Sequence, residues 1–326
     1  KGVINMNKFK KVGFSALAGS LVAVTANAGE MSVAGSASVA LEHINGGAAS
    51  AGKSWSMGNQ LTFSGSGELD NGMNVSLSFI IDQGDDETDT STQSGNSPFD
   101  SHSVSIGMDG LGTVTFHGEG GSAAMSATHG SAAGGIWDAF QAAADEPESG
   151  HSSNDMISYA LPTIIDGVAL SASYTPNGDG GADSSTSWNA SYTGIEGLTV
   201  SYGAGEDNKA TTTADATAWK VSYAYGPITV TASELEYDHG TDASDRDMES
   251  QAISYTVSDE ISVTYGVEEI TDGTGTENAE FERIKATYTA GGMTVAVSSA
   301  EGENIDYSTT ATQDREVWAI SASFAF

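Results

Sequence analysis

The residues best placed to do chemistry in this chain are carboxylates. Asp and Glu number 44, against 11 Lys and Arg. Five of them, Glu119, Asp138, Asp145, Glu146 and Glu148, fall in one stretch rich in Gly, Ala and Ser, beside Trp137 and Phe140 in a short amphipathic segment. Set along a narrow passage of low dielectric, such a group holds a negative potential and enriches cations. Asp82, Asp85, Asp86, Glu87 and Asp89 form the densest acidic run. It offers hard oxygen ligands for Ca²⁺ or Mg²⁺. It lacks the Gly and terminal Glu spacing of a dedicated calcium loop, so a charge run that keeps a loop solvated is the preferred reading.

Covalent chemistry finds no support. The six histidines, His43, His102, His117, His129, His151 and His239, are scattered without an i, i+4 pair, and there is no cysteine. No G-x-S-x-G elbow, P-loop or H-E-x-x-H motif occurs. Residues 118–123 mimic part of a dinucleotide fingerprint but lack its strand–turn–helix setting, and residues 177–183 resemble a single copy of a calcium nonapeptide repeat. The chain is therefore read as a non-enzyme without a cofactor, the acidic loops being the only places where Ca²⁺ or Mg²⁺ would bind. Nucleic acid is disfavoured as a partner, because phosphate binding needs basic patches.

The elements that must position these residues are strands. Residues 6–28 combine a basic start, an apolar run too short for a membrane helix and a small-residue Ala26-Asn27-Ala28 end, the pattern of a secretory signal. Residues 1–5 read as sequence upstream of a start at Met6. Cleavage after Ala28 would leave a mature domain of residues 29–326, which holds seven basic residues and all 44 acidic ones. Along that domain apolar residues recur with period two, as in Val75, Leu77, Phe79, Ile81 and in Trp219, Val221, Tyr223, Tyr225. At the C-terminus Trp318, Ile320, Ala322, Phe324 and Phe326 share one face, against small or polar residues on the other.

Turn residues interrupt the strands near 70–72, 109–112, 162–167, 195–197, 226–227, 258–260 and 290–292. Seven short turns alternating with eight longer loops predict sixteen strands. Two intervals are over-long, with surplus residues at 84–101 and 119–153. Long loops on one rim and tight turns on the other predict an all-β fold, a sixteen-stranded antiparallel transmembrane β-barrel. Closure satisfies the backbone polar groups that lipid cannot. A barrel this wide leaves an aqueous lumen, so the Ser/Thr/Gly face is expected to line water and the apolar face to meet acyl chains.

On these features the chain resembles the trimeric porins of Gram-negative bacteria, specifically the sixteen-stranded alphaproteobacterial type. The resemblance spans the mature chain. It rests on the Ala26-Asn27-Ala28 signal end, on Phe326 in step with Phe324 and Trp318, on the run from Gly110 to Phe116 followed by a long insertion, and on the re-entry from Asn154 to Pro162 that leads to Val168–Tyr174. It implies that the third external loop, residues 119–153, folds into the barrel as a constriction. It also implies that residues 84–101 latch onto a neighbouring subunit and that Phe326, Phe324 and Trp318 are read by the barrel assembly machinery. A homotrimer in the outer membrane, beside lipopolysaccharide, follows from the same likeness; divalent ions at the acidic run, on the less favoured reading of those residues, would bridge to lipopolysaccharide phosphates or to a neighbouring subunit.

Alternation places Lys220, Arg283 and Lys285 on the lumen face as basic wall residues. Porins of this kind commonly oppose the loop with wall cations, and three are few for a strong transverse field. The expected function is passive diffusion of small hydrophilic solutes and ions, with cations preferred. A substrate-specific channel would need stacked aromatics or a basic ladder in the lumen, whereas these tyrosines fall on outward positions. A secreted acidic β-solenoid adhesin would need a fixed short repeat.

Overall fold

Wherever a bulky apolar residue alternates with Ser, Thr, Ala or Gly the chain forms a strand, because a pleated ribbon has two faces that can differ. The computed structural model describes residues 30–46, 52–82, 100–140, 144–147, 154–176, 182–209, 213–240, 245–309 and 314–326. The first eight strands are β1 (Glu30–Asn45), β2 (Gly52–Glu68), β3 (Asn74–Asp82), β4 (Ser101–Met108), β5 (Gly112–Glu119), β6 (Met156–Ala160), β7 (Val168–Thr175) and β8 (Ala182–Ile195). The second eight are β9 (Leu198–Lys209), β10 (Thr213–Tyr225), β11 (Ile228–Asp238), β12 (Arg246–Ser258), β13 (Ile261–Asp272), β14 (Ala279–Ala290), β15 (Met293–Glu303) and β16 (Arg315–Ala325). Among the described residues no helix is long and apolar enough to cross a membrane.

Each strand pairs antiparallel with its sequence neighbours, and β1 pairs with β16, so the sheet closes. All seven tight connections fall where the turn residues predict them. Gly197 shows why: its φ is +75°, and a Cβ there would lie 2.3 Å from the Ala224 carbonyl oxygen. At the seam the C-terminal residue completes the ladder. Phe326 N–H donates to the Gly35 carbonyl at 2.9 Å, and the Phe326 main-chain oxygen accepts from Gly35 N–H at 2.7 Å. Its ring lies over Gly35, where a Cβ would come within 2.4 Å of a ring carbon. The terminal aromatic thus has a seat that only glycine leaves free.

The alternation persists along β11–β15, but its chemistry reverses part-way up. Towards the tight turns Ile228, Val230, Ile253, Tyr255 and Ile284 are exposed on the outer face. Towards the long loops the outer face carries Glu234, Glu236, Asp247, Glu249, Glu269, Glu280, Glu282, Glu301 and Glu303, while Leu235, Tyr237, Met248, Ile270 and Phe281 are buried on the inner face. Register sets Glu234 opposite Glu249, Glu249 opposite Glu269, Glu269 opposite Glu280 and Glu280 opposite Glu303. Aromatics mark the boundary: Trp219 Nε1–H donates to Glu234 at 2.6 Å, and Tyr265 O–H donates to Glu282 at 2.6 Å.

This corrects the expectation of one apolar face towards lipid along the whole strand. Above the hydrocarbon the outside is wet and accepts carboxylates. The inside there is roofed by an infolded loop and needs apolar side chains to pack it.

Candidate functional site: the infolded third loop

The connection from β5 to β6 runs inside the barrel. It contains two short 3-10 turns, Ala124–Ala127 and Trp137–Phe140. Met125, Ile136 and Phe140 are fully buried and join one apolar cluster with Leu235, Met248, Ile270, Phe281, Val317 and Ile44 of the wall. The Phe140 and Phe281 rings tilt together with centroids 5.2 Å apart. Burying three such side chains contributes roughly 1.5–3 kcal/mol each, enough to hold the loop against the wall rather than in the aqueous lumen.

Polar wall side chains then fix its position through the loop's main chain. Ala124 N–H donates to Ser173 Oγ at 2.9 Å and Met125 N–H to Ser187 Oγ at 3.3 Å. Ala132 N–H donates to Ser233 Oγ at 2.8 Å and Ala133 N–H to Ser250 Oγ at 2.9 Å. Ile136 and Trp137 N–H both donate to Glu268 Oε2, at 2.6 and 3.1 Å, while Ser131 Oγ–H donates to Glu268 Oε1. From the other side cations donate to loop carbonyls. Lys220 reaches Gly130 and Ser131 at 3.0 and 3.4 Å, and Arg283 reaches Ala133 and Gly134 at 2.6 and 3.1 Å. Arg315 reaches Phe140 at 2.5 Å. Gly134 and Gly135 hold φ of +81° and +62°, the local bend that lets successive carbonyls and amides face the wall.

Glu268 is 2% exposed, and a buried carboxylate needs donors and a countercharge. It has three donors from the loop, with the Arg283 guanidinium as neighbouring positive charge. Sequence reading missed Glu268. Within Val267-Glu268-Glu269-Ile270 it looks like one of two solvated acids, and only the inward phase of β13 distinguishes them. Arg315, the first residue of β16, was missed for the same reason.

The anticipated loop residues divide. Asp138 and Asp145 are exposed, Glu119 closes β5 half-exposed, and Glu146 is half-buried. Glu148 lies outside the described residues, as do Asp85, Asp86, Glu87 and Asp89; only Asp82, at the end of β3, is described from that run. Residues 1–29, with the signal and its cleavage site, are also outside the described set. Lys220, Arg283 and Lys285 are on the lumen face as alternation predicts. Yet Lys220 and Arg283 lie under the loop and bond to it, rather than facing it across the passage. Lys285 lies one pleat nearer the tight turns.

Glu146 also knits the loop to itself, accepting from Ser131 N–H at 3.2 Å, and His129 Nδ1 lies 3.9 Å from its Oε2. Burial pushes the Glu146 carboxyl above the usual carboxylate range, and burial pushes the His129 imidazole below its ordinary value.

The loop is fastened to β7, β8, β10–β14 and β16. The wall formed by β1–β5 is rich in hydroxyls. Its inward rows include Ser36 beside Gln60, Ser64 beside Ser78, Ser78 beside Ser103, and Ser105 bonded to Thr115 at 2.8 Å. Glu42 and Asp82 share that face.

Comparison with known proteins agrees with this architecture. A solved structure described as an anion-selective porin from Comamonas acidovorans superposes with a TM-score of 0.67 at 15% identity, covering 91% of this chain and 99% of the other. OmpT, an outer membrane protein of Vibrio cholerae, gives 0.67 at 15% identity over 93% and 99%. A mutant of the Rhodopseudomonas blastica porin gives 0.63 at 18% identity over 91% and 100%. Identities this low speak to the fold alone. No curated protein matches the chain in sequence. A family model described as Gram-negative porin matches residues 13–289, and with this match and a closed sixteen-stranded barrel the chain belongs to the Gram-negative porins of the outer membrane.

Proposed function

We propose that this porin is a general diffusion pore that passes small hydrophilic solutes and ions down their gradients and prefers cations. The observation that carries the sign is the division of charge in the lumen. The wall cations Lys220, Arg283 and Arg315 are turned towards loop carbonyls, and Arg283 and Lys220 each have a carboxylate neighbour in Glu268 and Glu146. The exposed carboxylates Asp138 and Asp145, by contrast, project from the loop into solvent. Fixed negative charge along a restricted aqueous path raises the local cation concentration. One structurally similar porin is described as anion-selective, so the sign is argued from this chain's own residues.

The hydroxyl-rich wall of β1–β5 supports passage of uncharged hydrophilic solutes, since it offers many donors and acceptors, and the carboxylates on its inward face, Glu42, Glu68 and Asp82, are few beside its hydroxyls. We further propose that three barrels associate, with the outward residues of β1, Met31, Val33, Gly35, Ala37 and Val39, among the interface members. Liposomes containing the purified protein test the diffusion reading. Swelling should be fast in small neutral sugars and slow progressively with solute size, whereas liposomes that swell no faster than protein-free ones would contradict it.

A further inference from the structure

On the outside of β13–β16 three successive rows change chemistry abruptly. The row nearest the tight turns sets Val263 beside Ala286, Val297 and Ile320. The next, one pleat or about 7 Å towards the long loops, sets Tyr265 beside Ile284, Ser299 and Trp318. One pleat further, Val267 stands beside Glu282, Glu301 and Glu316. Ala286 and Ser299 are too short to fill the space between Ile284, Val297, Ile320 and Trp318, so an apolar depression of about 580 Å³ opens there. Towards the long loops a second depression, of about 340 Å³, is ringed by carboxylates, among them Glu269, Glu282 and Glu301.

The chain itself offers these acids only neutral donors. Glu282 accepts from Tyr265 at 2.6 Å, Glu316 from Asn45 at 3.5 Å, and Glu269 from Asn278. Arg246, Arg283, Lys285 and Arg315, the basic residues of β11–β16, all lie on the inward phase. Like charges side by side weaken a sheet, and positive charge supplied from outside would relieve them. Among the described residues no three acidic or histidine side chains are grouped to hold a metal ion. The row therefore suits several N–H donors better than one coordinated ion. An inorganic counterion would also leave the apolar depression unused, whereas an amphiphile uses both.

We propose that the outer wall of β13–β16 binds a phosphate-free lipid with a protonated-amine headgroup. Its acyl chain lies in the depression over Ala286 and Ser299, against Trp318, and its ammonium donates to Glu282 and Glu301. The order of the rows is the order of such a molecule in a leaflet. Tyr265 and Trp318 stand at the lipid–water boundary, where amphipathic rings belong, with the apolar depression on the hydrocarbon side and the acids on the headgroup side. A phosphate headgroup would meet the same acids as a like charge.

The test places the full porin in choline-lipid bilayers and titrates in lipids that share one brominated acyl chain. Their headgroups are a primary ammonium, a choline phosphate or a bare phosphate. Bromine quenches tryptophan at contact, and the emission lost in the wild type but not in Trp318→Phe reports this site. The ammonium lipid should occupy it about fivefold more strongly than the choline lipid, the worth of one exposed ion pair. That preference should fall as KCl is raised. Glu282→Gln combined with Glu301→Gln should abolish it, and Ser299→Leu, which fills the depression, should weaken it. An ammonium lipid no better than the choline lipid would overturn the inference. So would a preference that survives the paired Gln variant, or a phosphate lipid that overtakes the ammonium lipid once Mg²⁺ is added. If the paired variant fails to assemble, a preference unchanged in Ser299→Leu overturns it equally. No readout here uses conductance, so the site stands or falls apart from the diffusion reading.

Discussion

His129 and Glu146 show how burial tunes charge inside the loop. Burial raises Glu146 and lowers His129, so both favour their neutral forms. The sign follows directly. As pH falls from neutral, His129 stays uncharged to lower pH than an ordinary imidazole. Glu146 takes up its proton at a higher pH than an ordinary carboxylate. Its negative charge is then lost above the usual carboxylate range, and cation preference should start to weaken there. The zero-current potential recorded against pH checks this, and Glu146→Gln should flatten the upper part of the profile.

At this scale the sequence suffices where only exposure is at stake, as for Asp138 and Asp145, which stand exposed on the loop. It was not readable for Glu268, because a buried acceptor and a solvated acid have the same letter. The difference lies in the Ser131, Ile136 and Trp137 donors, which come from more than 130 positions earlier.

The strands themselves were largely legible. Period-two alternation and Gly- or Pro-containing turns located the tight connections, because turn chemistry is local and a pleat has two faces. What alternation alone did not convey was the reversal in β11–β15. Glu234-Leu235-Glu236-Tyr237 and Ile228-Thr229-Val230-Thr231 both alternate, yet in the first the apolar residues point inward and in the second outward. Only the infolded loop creates an inner surface that needs Leu235 and Tyr237.

The reversal leaves five glutamates side by side across five strands, and like charges directly opposite destabilise a sheet. Glu269 has carboxylates on both sides, at Glu249 and Glu280. Glu269→Lys should therefore stabilise the barrel by about 0.2–1 kcal/mol, read as a rise in the heat-unfolding temperature in detergent at low salt. The gain should shrink as salt is raised, because exposed charges are screened. At the seam, Gly35→Val should displace the Phe326 ring from its seat and slow assembly of the barrel in lipid, followed by the electrophoretic shift between unfolded and folded forms.

For the whole molecule, closure turns a list of amphipathic strands into a channel. A barrel of sixteen strands is too wide for its own side chains to fill, and the loop occupies one side of the interior by packing Met125, Ile136 and Phe140 on the wall. The passage therefore runs between a loop that carries the exposed carboxylates Asp138 and Asp145 and a wall rich in hydroxyls on β1–β5. The strand count and closure were legible from spacing. The side of the lumen taken by the loop was not, because it depends on long-range pairs such as Arg315 with Phe140 and Lys220 with Gly130.

The central claim is that this interior conducts and that its loop carboxylates choose the sign. The most direct test is the zero-current potential of the purified porin in a planar bilayer across a KCl gradient. The account predicts stepwise conductance and a potential displaced towards the potassium equilibrium value. A displacement towards the chloride value, or a bilayer that stays silent, would contradict it.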